Sequence, residues 1–170
     1  MADELERLYQ TMYASVVRFL YRKVWDQDRA EDLAQEVFIR LMAHRPEKPR
    51  AWIFAVASNL ARDEARAAVR RKKHLTLLTN DPVTLARPAV SADDVVEQEE
   101  ELSQVQSALD TLSARDKEVL LLWDAGLSYQ EIAQQTGLAL GAVGTTLARA
   151  RRRLVEAYDR SEAKERAAHS

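Results

Sequence analysis

Residues 128–154 read SYQEIAQQTGLALGAVGTTLARARRRL, and the spacing within them defines two helices and the turn that joins them. Ser128 followed three residues later by Glu131 is a capping box, in which hydroxyl and carboxylate take amide donors that a helix start leaves without partners. Ile132 and Ala133 give this short helix a small apolar face. Gly137 stands where a chain leaves a helix through positive φ, a conformation that costs a residue with a Cβ about 1–2 kcal/mol. Val143, Leu147, Ala150 and Leu154 then recur at helical spacing and mark a second, longer helix. Ala133 is small enough for the two helices to cross closely, and Val143 plugs the angle between them. Short helix, glycine turn and longer helix form the pattern of a helix-turn-helix, whose second helix enters a DNA major groove. An αα-hairpin with a basic surface is the other reading. Arg149, Arg151, Arg152 and Arg153, gathered at the far end, favour DNA.

Strand signals are nearly absent elsewhere, and all four glycines lie after residue 125. The expected fold is all-α: two small helical domains joined by a flexible linker, the second containing the helix-turn-helix. Leu5, Leu8, Met12, Val16, Phe19, Leu20 and Val24 predict a helix over 3–25. Asp28 with Glu31 reads as the cap of the next helix, whose apolar stripe is Ala30, Leu33, Ala34, Val37, Phe38, Leu41 and Met42. Its opposite face carries Asp32, Gln35, Glu36, Ile39 and Arg40. Ile39 is either a stray aliphatic on a solvated face or the anchor of a protein-binding face, and pattern alone favours the first.

Pro46 and Pro49 within HRPEKPR (44–50) stop this helix and delay the third. That third helix runs over 51–73, apolar in its first half, where Trp52 is expected in the core, and basic in its second. Asn59, Asp63, Arg66 and Arg70 fall on one side of it. Residues 75–92, with Pro82 and Pro88, lose apolar periodicity and read as the linker. A helix should resume near Asp93, where acidic residues suit the positive end of the helix dipole, with Leu102, Val105, Leu109 and Leu112 as its stripe. Ser113, with Asp116 as box partner, caps another that runs through Val119, Leu120 and Trp123 to Gly126. Beyond Tyr158 the tail has no apolar face and is expected to fray. The expected domains are therefore 1–74 and 93–160, with the linker at 75–92 and a disordered tail at 161–170.

At 170 residues, 46% hydrophobic and 31% charged, the chain can build real cores and stay soluble. Its net charge of −2 conceals segregation: six basic residues lie between Arg62 and Lys73, four between Arg149 and Arg153, and six carboxylates between Asp93 and Glu101. Because salt screens charges beyond roughly 10 Å, local sign matters more than the sum. Two basic patches separated by an acidic one suggest two nucleic-acid contacts. No cysteine is present, so disulfides, thiolate nucleophiles and zinc clusters are excluded. His44, His74 and His169 have no ligand spacing, no serine occupies a nucleophile elbow, and no strand precedes Gly137, Gly141 and Gly144. An enzyme is not expected, nor a metal, a cofactor or a small-molecule substrate. No apolar run is long enough to cross a bilayer, and MADELERLYQ is unlike a secretory signal. A cytoplasmic protein with no membrane insertion is expected.

Three segments, in order and at this spacing, resemble one family: DRAEDLAQEVFIRL (28–41), AWIFAVASNLARDEAR (51–66) and LSARDKEVLLLWDAGLSYQEIAQQTGL (112–138). The chain over roughly 5–158, the linker apart, is similar to bacterial extracytoplasmic-function sigma factors. The resemblance implies that core RNA polymerase and promoter DNA are the partners. The 28–42 helix would dock on the clamp helices of the polymerase largest subunit through Asp32, Gln35, Glu36, Ile39 and Arg40, which gives exposed Ile39 a reason. The third helix and the loop before it would open and capture the minus-ten element. Asn59 matches a position near the pocket for a flipped base, and Arg62, Arg66, Arg70, Arg71 and Lys72 would hold the backbone of melting DNA. Family members are commonly held inactive by an anti-sigma factor wedged between the domains, and a linker over 75–92 permits that arrangement.

One helix departs from the family pattern. Where members often carry Thr, a basic residue, Ser and Arg, this chain has Ala142, Gly144, Thr145 and Thr146, and Gly144 costs about 1 kcal/mol of helix stability relative to Ala. Gly141, Thr145, Ala148, Arg149 and Arg152 turn away from the apolar stripe and are expected to meet the minus-thirty-five element. Most of that front offers only backbone approach or methyl contact, so recognition should rest on phosphates and DNA shape, with Arg149 a phosphate contact. The alternatives are a free-standing helix-turn-helix regulator with an N-terminal sensing or dimerisation domain and, more distantly, an inhibitor or adaptor that occupies polymerase without melting DNA.

Overall fold

The computed structural model describes residues 2–79 and 93–170, and among them the chain forms helices and no strand. Helices α1 (Ala2–Val24), α2 (Gln27–His44) and α3 (Pro49–Thr79) form the first of two compact units. Each packs on the other two. Val16, Phe19 and Leu20 of α1 meet Leu33, Val37, Phe38 and Leu41 of α2 and Ile53 and Phe54 of α3 in a single core. Ala30 and Ala34 on α2, and Ala57 and Ala61 on α3, are buried at four-residue spacing, and such small side chains let helices approach closely. Phe19 meets Phe54 edge-on with centroids 5.3 Å apart, the geometry that aromatic quadrupoles favour.

The α1–α2 turn is made by Trp25 at φ 55°, and Asp26, not Asp28, is the cap of α2. The Asp26 carboxylate accepts from the Arg29 N–H at 3.1 Å. Any acidic residue near 26–28 satisfies the sequence rule; the left-handed Trp25 decides which one leaves the extended conformation last. Met42, expected in the core, is 56% exposed. At 100° per residue it lies beyond the edge of the Ala30–Val37–Leu41 stripe and beside Gln35 and Ile39. The third helix begins at Pro49, where proline's missing N–H and fixed φ do no harm, and continues past Lys73 to Thr79. The first residues of the expected 75–92 linker are thus helical, because no proline or glycine intervenes before Pro82. The remainder of that linker lies outside the described residues.

Helices α4 (Asp93–Asp110), α5 (Ala114–Asp124), α6 (Tyr129–Thr136) and α7 (Leu140–Ala168) form the second unit, with α7 packed on the other three. Ala108, Leu109 and Leu112 meet Val119, Leu121, Leu122, Leu127, Ile132, Val143, Leu147 and Ala150 in its core. The expected frayed tail is a correction: α7 continues unbroken to Ala168 against α4. Its inward residues there are Ala157 and half-buried Ser161, and buried Gln104 of α4 donates to the Glu165 carboxylate. The sequence shows no apolar face at 159–170 because small side chains and a polar pair make this contact.

Gly137 closes α6 at φ 78°, with its N–H donating to the Ala133 carbonyl at 2.9 Å. A Cβ at Gly137 or Gly141 meets nothing within 4 Å, yet only Gly137 has positive φ. Gly137→Ala should therefore destabilise the protein by about 1 kcal/mol through backbone strain alone, whereas Gly141→Ala should stabilise it by about 0.5–1 kcal/mol. Urea midpoints for both variants measure this; shifts of the same sign contradict the assignment.

Candidate nucleic-acid interface

The turn between α6 and α7 is built as the capping box requires. The Ser128 hydroxyl accepts from the Glu131 N–H at 3.2 Å, and the Glu131 carboxylate accepts from the Ser128 N–H at 3.0 Å. Ile132 and Val143 are fully buried where the helices cross, so the outward face of α7 is fixed by what lies beneath. That face carries Gly141, Thr145, Ala148, Arg149 and Arg152, all exposed. The structure therefore brings the expected five together on one face.

Two of the four arginines near them are anchored by one carboxylate. Asp116, in the first turn of α5, is 1% exposed and pairs with Arg149 at 2.8 Å and Arg153 at 3.2 Å. Its own backbone N–H donates to the Ser113 hydroxyl, so the expected cap is present, while its carboxylate turns to α7. Arg149 thus acts inside the domain as well as on its surface. At the other end of α5, the Arg151 guanidinium lies over the Trp123 ring at 5.5 Å, and Trp123 lies 5.3 Å from Tyr129. Tyr129 in turn covers Gly144, where a Cβ would sit 3.4 Å from the ring. Arg152 projects from the outward face between these flanks and has no acidic partner among the described residues. Sequence reasoning missed Asp116 as a counter-ion; the available signal was a carboxylate three residues before Val119 on the stripe that α5 buries.

In the first unit, Asn59, Arg62, Arg66 and Arg70 are exposed along one side of α3. Helical geometry adds Lys73 to that side and turns Arg71 and Lys72 away from it. Arg71 instead pairs at 3.1 Å with Glu64, whose side chain is 12% exposed and also accepts from Arg29 Nε of α2 at 3.0 Å. From Arg62 to Leu78 only Glu64 and Ala67 are partly covered, so the basic half of α3 stands clear of its core. Trp52, expected in that core, is half-buried, with its ring 5.6 Å from that of His44. On α2, Asp32, Gln35, Ile39 and Arg40 are exposed and Glu36 is partly covered. Glu36 and Arg40 pair at 2.9 Å, and Ile39 is 55% exposed beside Met42. Among the described residues no acidic or histidine cluster could hold a metal, and no helix is long and apolar enough to cross a membrane.

Hydrogen bonds from Arg149 hold Asp116 below the ordinary carboxylate range, and those from Arg29 do the same for Glu64, although burial pushes both the other way. In the unfolded chain these groups titrate near ~4. A depressed folded value means that the stabilisation is complete above the unfolded pKa and drains away as pH falls through the folded one. Unfolding free energy should thus be level between about pH 5 and 7 and fall below about pH 4. Asp116→Asn should lower the plateau and make the acid limb less steep, as read from urea midpoints across that range. An acid limb equally steep in both proteins contradicts the role given to Asp116.

Both units are similar to known proteins. Residues 8–71 match the family model of Sigma-70 region 2, and residues 102–154 match that of Sigma-70, region 4. The chain is 30% identical over 150 residues to the ferric citrate uptake sigma factor FecI of Escherichia coli, covering 85% of each protein. It is 33% identical over 151 residues to the ECF RNA polymerase sigma factor SigL of Mycobacterium tuberculosis, covering 84% of this chain and 82% of that one. The solved structure of the sigma factor RpoE with the anti-sigma factor NepR from Bartonella quintana shares the fold, with TM-score 0.60 and 23% identity over 92% of this chain and 97% of that one. The arginines of α3 and the four clustered arginines of α7 fall inside the matched regions, and the chain belongs to the ECF RNA polymerase sigma factors.

Proposed function

We propose that this chain binds core RNA polymerase through α2 and directs it to promoters, opening the minus-ten region with α3 and holding the minus-thirty-five element with α7. The observation that carries this reading is that each unit exposes a helix whose clustered arginines lie within its matched sigma region. On α2, Asp32, Gln35, Glu36 and Arg40 form a polar rim around Ile39, and Met42 adds a second apolar anchor. On α3, Asn59 lies beside the flipped base while Arg62, Arg66 and Arg70 follow the backbone, and Arg71 and Lys72, turned to other sides of the helix, take no part in that contact. Unstacking a base costs a few kcal/mol, which hydrogen bonds and stacking in a prepared site offset. On α7, Gly141, Thr145 and Ala148 allow close approach, Arg152 takes a phosphate, and Arg149 contributes from the flank.

Neither unit needs to bind DNA tightly alone. Once one is docked on polymerase, the tether raises the effective concentration of the other. The chain itself makes and breaks no covalent bond, and it acts in the cytoplasm, where polymerase and chromosome meet. An anti-sigma factor, as found with the Bartonella quintana relative, would hold it inactive.

Ile39→Glu should weaken association with core polymerase at least about tenfold, as loss of a central apolar anchor does, with unchanged helicity by circular dichroism. Asn59→Ala should keep that association and lose run-off transcript. If wild-type chain binds duplex DNA tightly without core enzyme and yields no promoter-specific transcript with it, the regulator reading replaces this one. Arg152→Ala should lower DNA affinity alike on many sequences and reduce the salt slope of binding by about 0.9; a sharp loss at one base pair alone contradicts readout by phosphate and shape.

A further inference from the structure

Asp116 is a buried charge that neither polymerase docking nor promoter contact uses. It lies in the first turn of α5, which crosses α7 so that its two ends reach opposite flanks of that helix. Asp116 holds Arg149 and Arg153 on one flank, and Trp123 seats Arg151 on the other. Viewed down α7 at 100° per residue, Arg149 and Arg153 lie about 160–200° from Arg151, and Arg152 lies between them on the outward face. Four adjacent arginines could form an undiscriminating polycation, since each neutralised phosphate adds affinity for any duplex. The buried carboxylate removes one charge from that row and holds two guanidiniums in fixed directions.

We propose that Asp116 is a positioning residue for promoter selection: as an internal counter-anion to Arg149 and Arg153, it limits non-specific duplex affinity and leaves Arg152 as the principal phosphate contact of α7. This rests on α7 facing DNA, as proposed above. A row with its full charge would raise affinity for promoter and bulk DNA alike and so lower the ratio between them, which is the quantity that matters among many competing sites. Holding the two guanidiniums to one flank also keeps the Gly141–Thr145–Ala148 surface open for close backbone approach.

The test uses full-length chain assembled with core polymerase, and two fluorescent duplexes, one of promoter sequence and one of scrambled sequence, titrated across a range of salt. Asp116→Asn should steepen the salt slope on scrambled duplex by about 0.9 and raise affinity there about tenfold near 0.1 M salt. The ratio of promoter to scrambled affinity should fall correspondingly. Adding Arg149→Gln to Asp116→Asn should restore the wild-type slope. Ser113→Ala, which weakens the same helix start without touching the arginine pair, should leave the slope unchanged. Independently of whether Asp116→Asn folds, Arg149→Gln in the otherwise native chain should change the slope far less than Arg152→Gln. Equal effects of those last two, or an unchanged slope in folded Asp116→Asn, overturn the proposal. If wild-type holoenzyme shows no more salt-dependent duplex affinity than core enzyme alone, α7 does not face DNA and the underlying reading fails instead.

Discussion

Two carboxylates, largely shielded Glu64 in the first unit and buried Asp116 in the second, fix which way the cationic helices face. A shielded carboxylate loses its compensation if its arginine partners turn away, so each pair resists rotation of the helix that bears it. Glu64 lies between Arg29 of α2 and Arg71 of α3, which ties α3 to the core just as it leaves it. The side that carries Asn59, Arg62, Arg66 and Arg70 is then the one left outward. Asp116 does the same for α7 through Arg149 and Arg153, and Ile132 and Val143 lock the crossing beneath. In both units the basic residues divide into some that build the domain and others that remain for a ligand.

That division explains how a chain of net charge −2 can address nucleic acid. On the proposed function, a phosphate backbone would meet a stripe about one helix wide, where local charge matters more than the sum over the chain. The small residues at the front of α7 then make sense as clearance. In the proposed complex, Gly141, Thr145 and Ala148 would let the backbone come close, and the arginines behind them would set register on phosphates without reading bases. Affinity of this kind is weak and salt-sensitive in each unit, which suits a protein whose two units act while held by a common polymerase.

Local chemistry made much of this legible in sequence. The Ser128–Glu131 box, the Gly137 turn and the Ala30–Leu41 stripe depend on residues within one or two turns of each other, and each lies where spacing put it. Features set by distant partners were not legible. Asp116 and Arg149 are 33 residues apart, and nothing in either neighbourhood marks them as a pair. Trp25 in a left-handed conformation moved the α2 cap from Asp28 to Asp26. The end of α7 is held by Ala157, Ser161 and the Gln104–Glu165 bond, which hydrophobic periodicity does not register. Met42 fell just outside a stripe whose edge only packing defines, and so joined Ile39 on the face turned to solvent.

On the proposed function, the two units open DNA together and only while polymerase holds them over one start site. Permanganate reactivity of minus-ten thymines on linear promoter DNA, with chain alone, core enzyme alone and both, measures this most directly. Reactive thymines should appear only in the third mixture. Thymines that stay protected when both are present, or that react with the chain alone, would contradict it.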